Sequence, residues 1–208
     1  MLTELTIKEF LEKTASDSPV PGGGSVAALS ASLAASLTEM VAKLTIGKEG
    51  YEIVEDEMKA VVQEAGKLRL KLVQAIDTDS NAYNDVMSAI RLPGDTEAEK
   101  SQREKAIQSG LKKAILIPMS VAEDTARVME LAGKTVASGN KNAITDGAVS
   151  VMMAKTAILS ALYNVKINLR TIKDKAFIDR TSKKVEKVET KALDREKELL
   201  SNVDLYLN

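Results

Sequence analysis

A chain of 208 residues with 44% hydrophobic content is long enough to bury one core of ordinary domain size without disulfides or structural metals. It contains no His, no Cys and no Trp, which excludes thiol nucleophiles, Ser–His and Cys–His dyads, disulfide frameworks and His/Cys zinc sites. Lys+Arg 29 against Asp+Glu 30 supplies no global basic field for nucleic acid. Acid–base chemistry is therefore left to Asp, Glu, Lys, Tyr or the backbone. The N-terminus, Met1-Leu2-Thr3-Glu4, has neither a basic n-region nor an apolar h-region. No stretch reaches the roughly 18 uninterrupted apolar residues of a membrane span. The expectation is a cytoplasmic protein with no membrane or nucleic-acid partner.

Nearly every segment carries the helical period. Thr6-Ile7-Lys8-Glu9 is a capping box ahead of Phe10 and Leu11, so a short first helix starts there. Ser18-Pro19-Val20-Pro21-Gly22-Gly23-Gly24 must break it, because two prolines block continuation and three glycines permit unusual backbone angles. A second helix is predicted from Ser25 to about Thr45, with Val26, Leu29, Leu33, Leu37, Met40 and Leu44 as its buried stripe. A third, from near Tyr51 to Leu92, would span about 60 Å unless it breaks near Gly66 or Asp77; Pro93-Gly94 stops it. Thr96-Glu97-Ala98-Glu99 is a second capping box, opening a helix that Pro118 should kink or divide and Gly139-Asn140 should end. Thr145-Asp146 offers an N-cap for a helix through Leu169, with Val149, Met153, Leu159, Tyr163 and Ile167 near one face. Asp174 caps a last helix whose inner face is Val185, Val188, Ala192, Leu199 and Val203. Neither a repeat nor a linker marks a second domain. Residues 1–208 are expected to form a single all-α, multihelical up-and-down bundle with long antiparallel helices.

Three features could carry chemistry. From Gly22 to Thr38, twelve of seventeen residues are Gly, Ala or Ser. The glycines open a helix, whose free N–H groups and dipole suit a carboxylate or phosphate; the alternative is a tight turn plus close helix packing. It is not a P-loop, since no Lys follows the glycines and no strand precedes them. Second, the long helix reads Leu68, Leu72, Ile76, Asp79, Tyr83, Val86 and Ile90 along one face, which points Asp79 inward. A carboxylate there is costly unless partnered, and burial raises its pKa toward the range a general acid or base needs. It is either such a group or the structural partner of a Lys, Arg or Asn on another helix. Asp77, about 200° around the helix, is expected to face outward.

The third feature is a run of polar residues, Asn140, Asn142, Thr145 and Asp146, followed by Asn164 and Asn168 four apart. Buried amides need partners, so this pair either ties helices together or reads a polar ligand. Capping is the simpler role for Asp146. Lys48, Arg91 and Arg103 stand near loops, where they either meet an anionic ligand or are ordinary solvated surface residues. The charged outer face of the last helix is a solvated one, and the methionines are core filler.

Taken together, Pro21-Gly22-Gly23-Gly24-Ser25-Val26-Ala27-Ala28 with Met40-Val41 and Leu44-Thr45 resembles the cyclodeaminase domain of the formiminotransferase-cyclodeaminase family. That family also includes stand-alone methenyltetrahydrofolate cyclohydrolases. Asp77-Thr78-Asp79 with Ala82-Tyr83, Arg91-Leu92-Pro93, Arg103, Pro118, Gly139-Asn140, Asp146, Asn164-Val165 and Ile167-Asn168-Leu169 follow in order, so the resemblance runs from Leu5 to about Ile178. It implies an all-helical homodimer acting on one-carbon units of tetrahydrofolate, which is substrate rather than cofactor, with no metal. The family's proposed catalytic carboxylate matches Asp79, the residue the periodicity also singles out.

Under the resemblance, Gly22, Gly23, Gly24, Ser25, Asn164 and Asn168 would orient the pterin or a glutamate carboxylate, Lys48 and Arg91 would serve the anionic tail, and Asn140 and Asp146 join the substrate-binding set. Tyr83 departs from the family's commoner Phe. No formiminotransferase sequence precedes the motif, so a separate transferase is expected to supply a formimino substrate. The reaction is expected to be cyclodeamination of 5-formiminotetrahydrofolate to the 5,10-methenyl form with loss of ammonia. The alternative is methenyltetrahydrofolate cyclohydrolase, giving 10-formyltetrahydrofolate. An alternative of another class is a non-catalytic dimeric helical scaffold.

Overall fold

A computed structural model describes residues 1–207 as helices and connecting turns, with no strand among the described residues. Six α-helices follow in order: α1 (Ile7–Thr14), α2 (Gly23–Lys43), α3 (Glu55–Ile90), α4 (Glu97–Ser138), α5 (Ile144–Leu169) and α6 (Lys175–Leu207). Short 3₁₀ turns stand at Leu2–Glu4, Glu52–Val54 and Lys141–Ala143. Both predicted capping boxes form, Thr6 with Glu9 and Thr96 with Glu99. The Phe177 N–H donates to Asp174 at 3.0 Å, which caps α6 as expected.

α2, α3, α4 and α5 make an all-α four-helix bundle in which neighbours run antiparallel. Cross-helix bonds give the directions. Ser25 meets Ile76 while Glu39 meets Arg69; Glu64 meets Arg127; Asn168 meets Ala114; Thr38 meets Ser150. α6 lies along α4 and α5, burying Val185, Ala192, Leu199 and Val203, and is tied by Lys155–Glu196, Lys166–Glu189 and Arg195–Glu130.

Three predicted details are corrected. α3 runs unbroken through Gly66 and Asp77. α4 is one helix with Pro118 inside it. Proline cannot donate to the carbonyl four residues back, and here the Asn168 Nδ2–H donates to that Ala114 oxygen at 3.1 Å. The orphaned acceptor is satisfied, so the helix need not break. α5 starts at Ile144, behind the 3₁₀ turn and with Ala143 as its N-cap, so Thr145 and Asp146 sit in its first turn rather than at its cap.

The largest correction concerns the faces of α2 and α5. The inward face of α2 is Ala27, Ala28, Ala31, Ala34 and Ala35, all essentially fully buried, and α5 answers with Ala154, Ala157 and Ala161. Small side chains let the two backbones approach closely, and the Thr38 and Ser150 hydroxyls meet at 2.8 Å in the contact. Of the bulky stripe expected in the core, Val26 and Leu29 pack against it at partial burial, while Leu33 is 47% exposed, and Met40 and Leu44 are exposed beside it. On α5, Val149, Tyr163 and Ile167 of the expected stripe are exposed too. By length and composition alone Gly23–Lys43 and Lys141–Leu169 are apolar enough to cross a membrane, yet 61% and 50% of their apolar windows are buried inside the bundle.

Candidate active site

At one end of the bundle the start of α2, the middle of α3 and the facing turns of α4 and α5 enclose a cleft of about 330 Å³. Its walls are Pro19, Val20 and Gly22–Gly24, then Asp79, Ser80, Tyr83 and Val86 of α3, Leu111 and Ala114 of α4, and Asn164 and Asn168 of α5. Asp79 is the one charged residue among them. The apolar stripe of α3 reaches this end as Leu72 and Ile76, both buried, and then opens: Tyr83 and Ile90 are partly exposed.

Asp79 lies across the first turn of α2. A side-chain carbon built on Gly24 would stand 2.2 Å from its Oδ1 and 2.5 Å from its Oδ2, so only glycine admits the carboxyl there. Gly22 is the N-cap of α2, and Gly23, Gly24 and Ser25 form its first turn, where backbone N–H groups have no partner within the helix. The Ser25 hydroxyl donates to the Ile76 carbonyl at 2.9 Å and lies 3.2 Å from Asp79 Oδ2. Burial pushes the Asp79 carboxyl above its ordinary value, against the Ser25 hydroxyl and backbone N–H, which pull it down. The Ser25 hydroxyl has one proton: turned to Asp79 it stabilises the carboxylate, and turned to the Ile76 carbonyl it leaves its oxygen to accept from a protonated Asp79. The arrangement can hold the carboxyl in either state.

The two asparagines present acceptors. Asn164 donates through Nδ2 to the Ser160 carbonyl at 2.9 Å, and Asn168 donates to the Ala114 carbonyl that Pro118 leaves free. Each amide is thereby oriented, leaving its Oδ1 for a ligand N–H. Asn164 also packs against Gly23, 3.4 Å from where a side-chain carbon would stand.

Of the residues expected to bind, Gly22, Gly23, Gly24, Asn164 and Asn168 line the cleft with Asp79, and Ser25 supports it from beneath. Lys48, Arg91, Asn140 and Asp146 do not line it. Lys48 donates to Asn140 Oδ1 at 3.0 Å, while Asn140 also bonds Leu44 and Thr45, a knot that ties the α2 C-terminus to the turn before α5. Arg91 is exposed at the end of α3, and Asp146 complements the α5 dipole. Asp77 is not a free outward residue: its carboxylate accepts from the Leu2 N–H and the Thr3 hydroxyl at 2.6 Å, docking the N-terminal turn on α3. Ser80, Val20, Leu111 and Ala114 were not foreseen. Leu111 and Ala114 sit on a helix whose register against α5 no local pattern reveals.

Comparison with known proteins gives a consistent result. Residues 6–187 match the model of a family described as formiminotransferase-cyclodeaminase. A methenyltetrahydrofolate cyclohydrolase of Methylorubrum extorquens is 39% identical over 87% of this chain and 87% of its own. A formimidoyltransferase-cyclodeaminase of Rattus norvegicus is 29% identical over 88% of this chain, which spans only 34% of that relative. The crystal structure of a formiminotetrahydrofolate cyclodeaminase from Thermotoga maritima superposes with a TM-score of 0.90 over all of both chains, at 29% identity.

The raised Asp79 value has a consequence for stability. A carboxyl whose folded-state value lies above its unfolded one favours folding while it is protonated; that contribution is whole below the unfolded value and is lost as pH rises through the folded value. Asp79→Asn is therefore expected to unfold at a higher temperature than the parent near neutral pH, with the gap closing below about pH 4, where both states are protonated. Thermal unfolding followed by circular dichroism across that range measures it; a variant less stable at neutral pH contradicts the assignment.

Proposed function

The chain belongs to the formiminotransferase-cyclodeaminase family, and we propose on that premise that it is a folate one-carbon enzyme, closing 5-formiminotetrahydrofolate to 5,10-methenyltetrahydrofolate with release of ammonia. The observation that carries this reading is a single half-buried carboxyl of raised pKa in a cleft whose other polar groups are neutral. In the reaction the formimino group enters as its amidinium; N10 attacks its carbon and gives up its own proton while the carbon–nitrogen double bond becomes single, leaving a neutral amine. The resulting amine then takes up a proton and leaves as ammonia, giving the methenyl cation. Asp79 can accept the first proton and return it to the departing nitrogen, so one carboxyl serves both steps. Raised pKa keeps each protonation state accessible. The rigid helix walls contribute positioning of N10 against the carbon, and the Asn164 and Asn168 oxygens suit ring N–H donors.

A second reading is supported by the Methylorubrum extorquens relative, which matches along nearly its whole length. Here the methenyl cation takes up water, one water proton passing to Asp79; as the C–N5 bond opens, N5 takes that proton back and the hydroxyl gives its own to solvent, leaving 10-formyltetrahydrofolate. The same carboxyl and cleft suffice. In the cyclodeaminase reading a separate formiminotransferase is the expected supplier of substrate.

Dimerisation belongs to the same proposal. α2 and α5 pack together, and between them they expose Leu33, Met40, Leu44, Val149, Met152, Tyr163 and Ile167, with Lys43 beside Met40 and Leu44 and Lys166 over the Tyr163 ring. An apolar surface of that extent calls for cover, and a second copy presents the same surface in return.

Two experiments test these statements. Purified protein should release ammonia from 5-formiminotetrahydrofolate with growth of methenyl absorbance, or hydrolyse the methenyl compound, and the ratio of the two rates separates the readings. Asp79→Asn should lower kcat by about 10²–10⁴-fold. Absence of both activities supports the scaffold instead, and an unchanged kcat removes Asp79 from the chemistry. Sedimentation at low micromolar concentration should give twice the chain mass, and Leu33→Glu should give the single-chain mass; a parent protein that sediments as a monomer contradicts the interface.

A further inference from the structure

Ser80 follows Asp79 on α3 and lines the same cleft. It is 6% exposed, and its hydroxyl has no hydrogen-bond partner among the described residues. Five other buried hydroxyls are answered: Ser25 by Ile76, Thr38 and Ser150 by Ala34, Thr45 by Val41, and Thr125 by Val121. Thr78, two residues earlier on α3, bonds back to the Gln74 carbonyl at 2.8 Å, the usual outlet for a hydroxyl on a helix. Ser80 makes no such bond. A buried hydroxyl left unanswered is destabilising, so its retention points to a partner that arrives from outside the fold.

We propose that the Ser80 hydroxyl binds the heteroatom exchanged at the one-carbon centre, the nitrogen that leaves as ammonia or the water oxygen that enters; this rests on the folate reading above. A hydroxyl both donates and accepts, which suits a small species that changes its proton count during the reaction. In deamination Ser80 accepts an N–H of the departing amine while Asp79 protonates its lone pair; the carbon–nitrogen bond then breaks and ammonia is released. In hydration Ser80 donates to the water oxygen as its new bond to carbon forms and its proton passes to Asp79. The pair divides the work: Asp79 carries the proton and Ser80 holds the atom that receives or loses it.

Ser80→Ala in the full chain tests this. The expected result is a fall of about tenfold in kcat on whichever substrate the parent turns over, with KM within about twofold and the thermal midpoint unchanged or raised. A kcat within about twofold of the parent overturns the assignment. A lowered midpoint does so too, because the hydroxyl would then be bonded within the fold, and so does a raised KM at constant kcat, which would place it on an unreactive part of the substrate. A parent protein inert on both substrates is a different failure, that of the folate reading, and takes this assignment with it.

Discussion

The cleft depends on the contact between the Asp79 carboxyl and the first turn of α2, made in the space where residue 24 has no side chain. Moving the carboxyl out would return it to water and an ordinary pKa. Keeping it in place raises that pKa by burial, while the Ser25 hydroxyl and backbone N–H prevent the charge from becoming prohibitive. The balance leaves a group that can gain or lose a proton without a His, Cys or metal. Much of the surrounding architecture serves to hold α3 against α2 at this point. Ser25 fastens to Ile76 one turn before Asp79, and the Glu39–Arg69 pair fastens the same two helices further along.

The opposite wall is set by a different constraint. Pro118 deprives the Ala114 carbonyl of its helical partner, and Asn168 supplies one from α5. A residue that reads from sequence as a helix breaker thus fixes the orientation of an amide in the cleft. Asn164 is fixed by its own helix, through Ser160. Two amide acceptors and one titratable carboxyl, with Ser80 and Tyr83, line a space walled otherwise by apolar groups and backbone, which is the pattern of a small-molecule site.

Helix number, order and the main stops are legible in the sequence because capping boxes, Pro and Gly act locally. The inward direction of Asp79 is legible because Leu72 and Ile76 define the face it continues. The faces of α2 and α5 are not. A hydrophobic-period reading places the largest apolar residues inside, whereas these helices pack through alanine and leave Leu33 and Tyr163 outside. Side-chain size, rather than hydrophobicity, decides which face a closely approached helix buries, and a second apolar face can then serve association. The distal residues mislead for a related reason. Lys48 and Asn140 are polar and near loops, which is equally true of a ligand site and of the knot that they form. Only the three-dimensional register tells which end of the bundle each residue occupies.

The charge state of Asp79 is the point on which the whole account turns. Its titration can be followed directly by carbon NMR of protein labelled at Asp side-chain carboxyls, with Asp79→Asn to assign the resonance and Gly24→Ala to displace the group. The account predicts a midpoint above the usual Asp value of about 3.9 in the parent protein, falling back toward that value when residue 24 gains a side-chain carbon. A parent midpoint at or below the usual value, or one indifferent to Gly24→Ala, would contradict it.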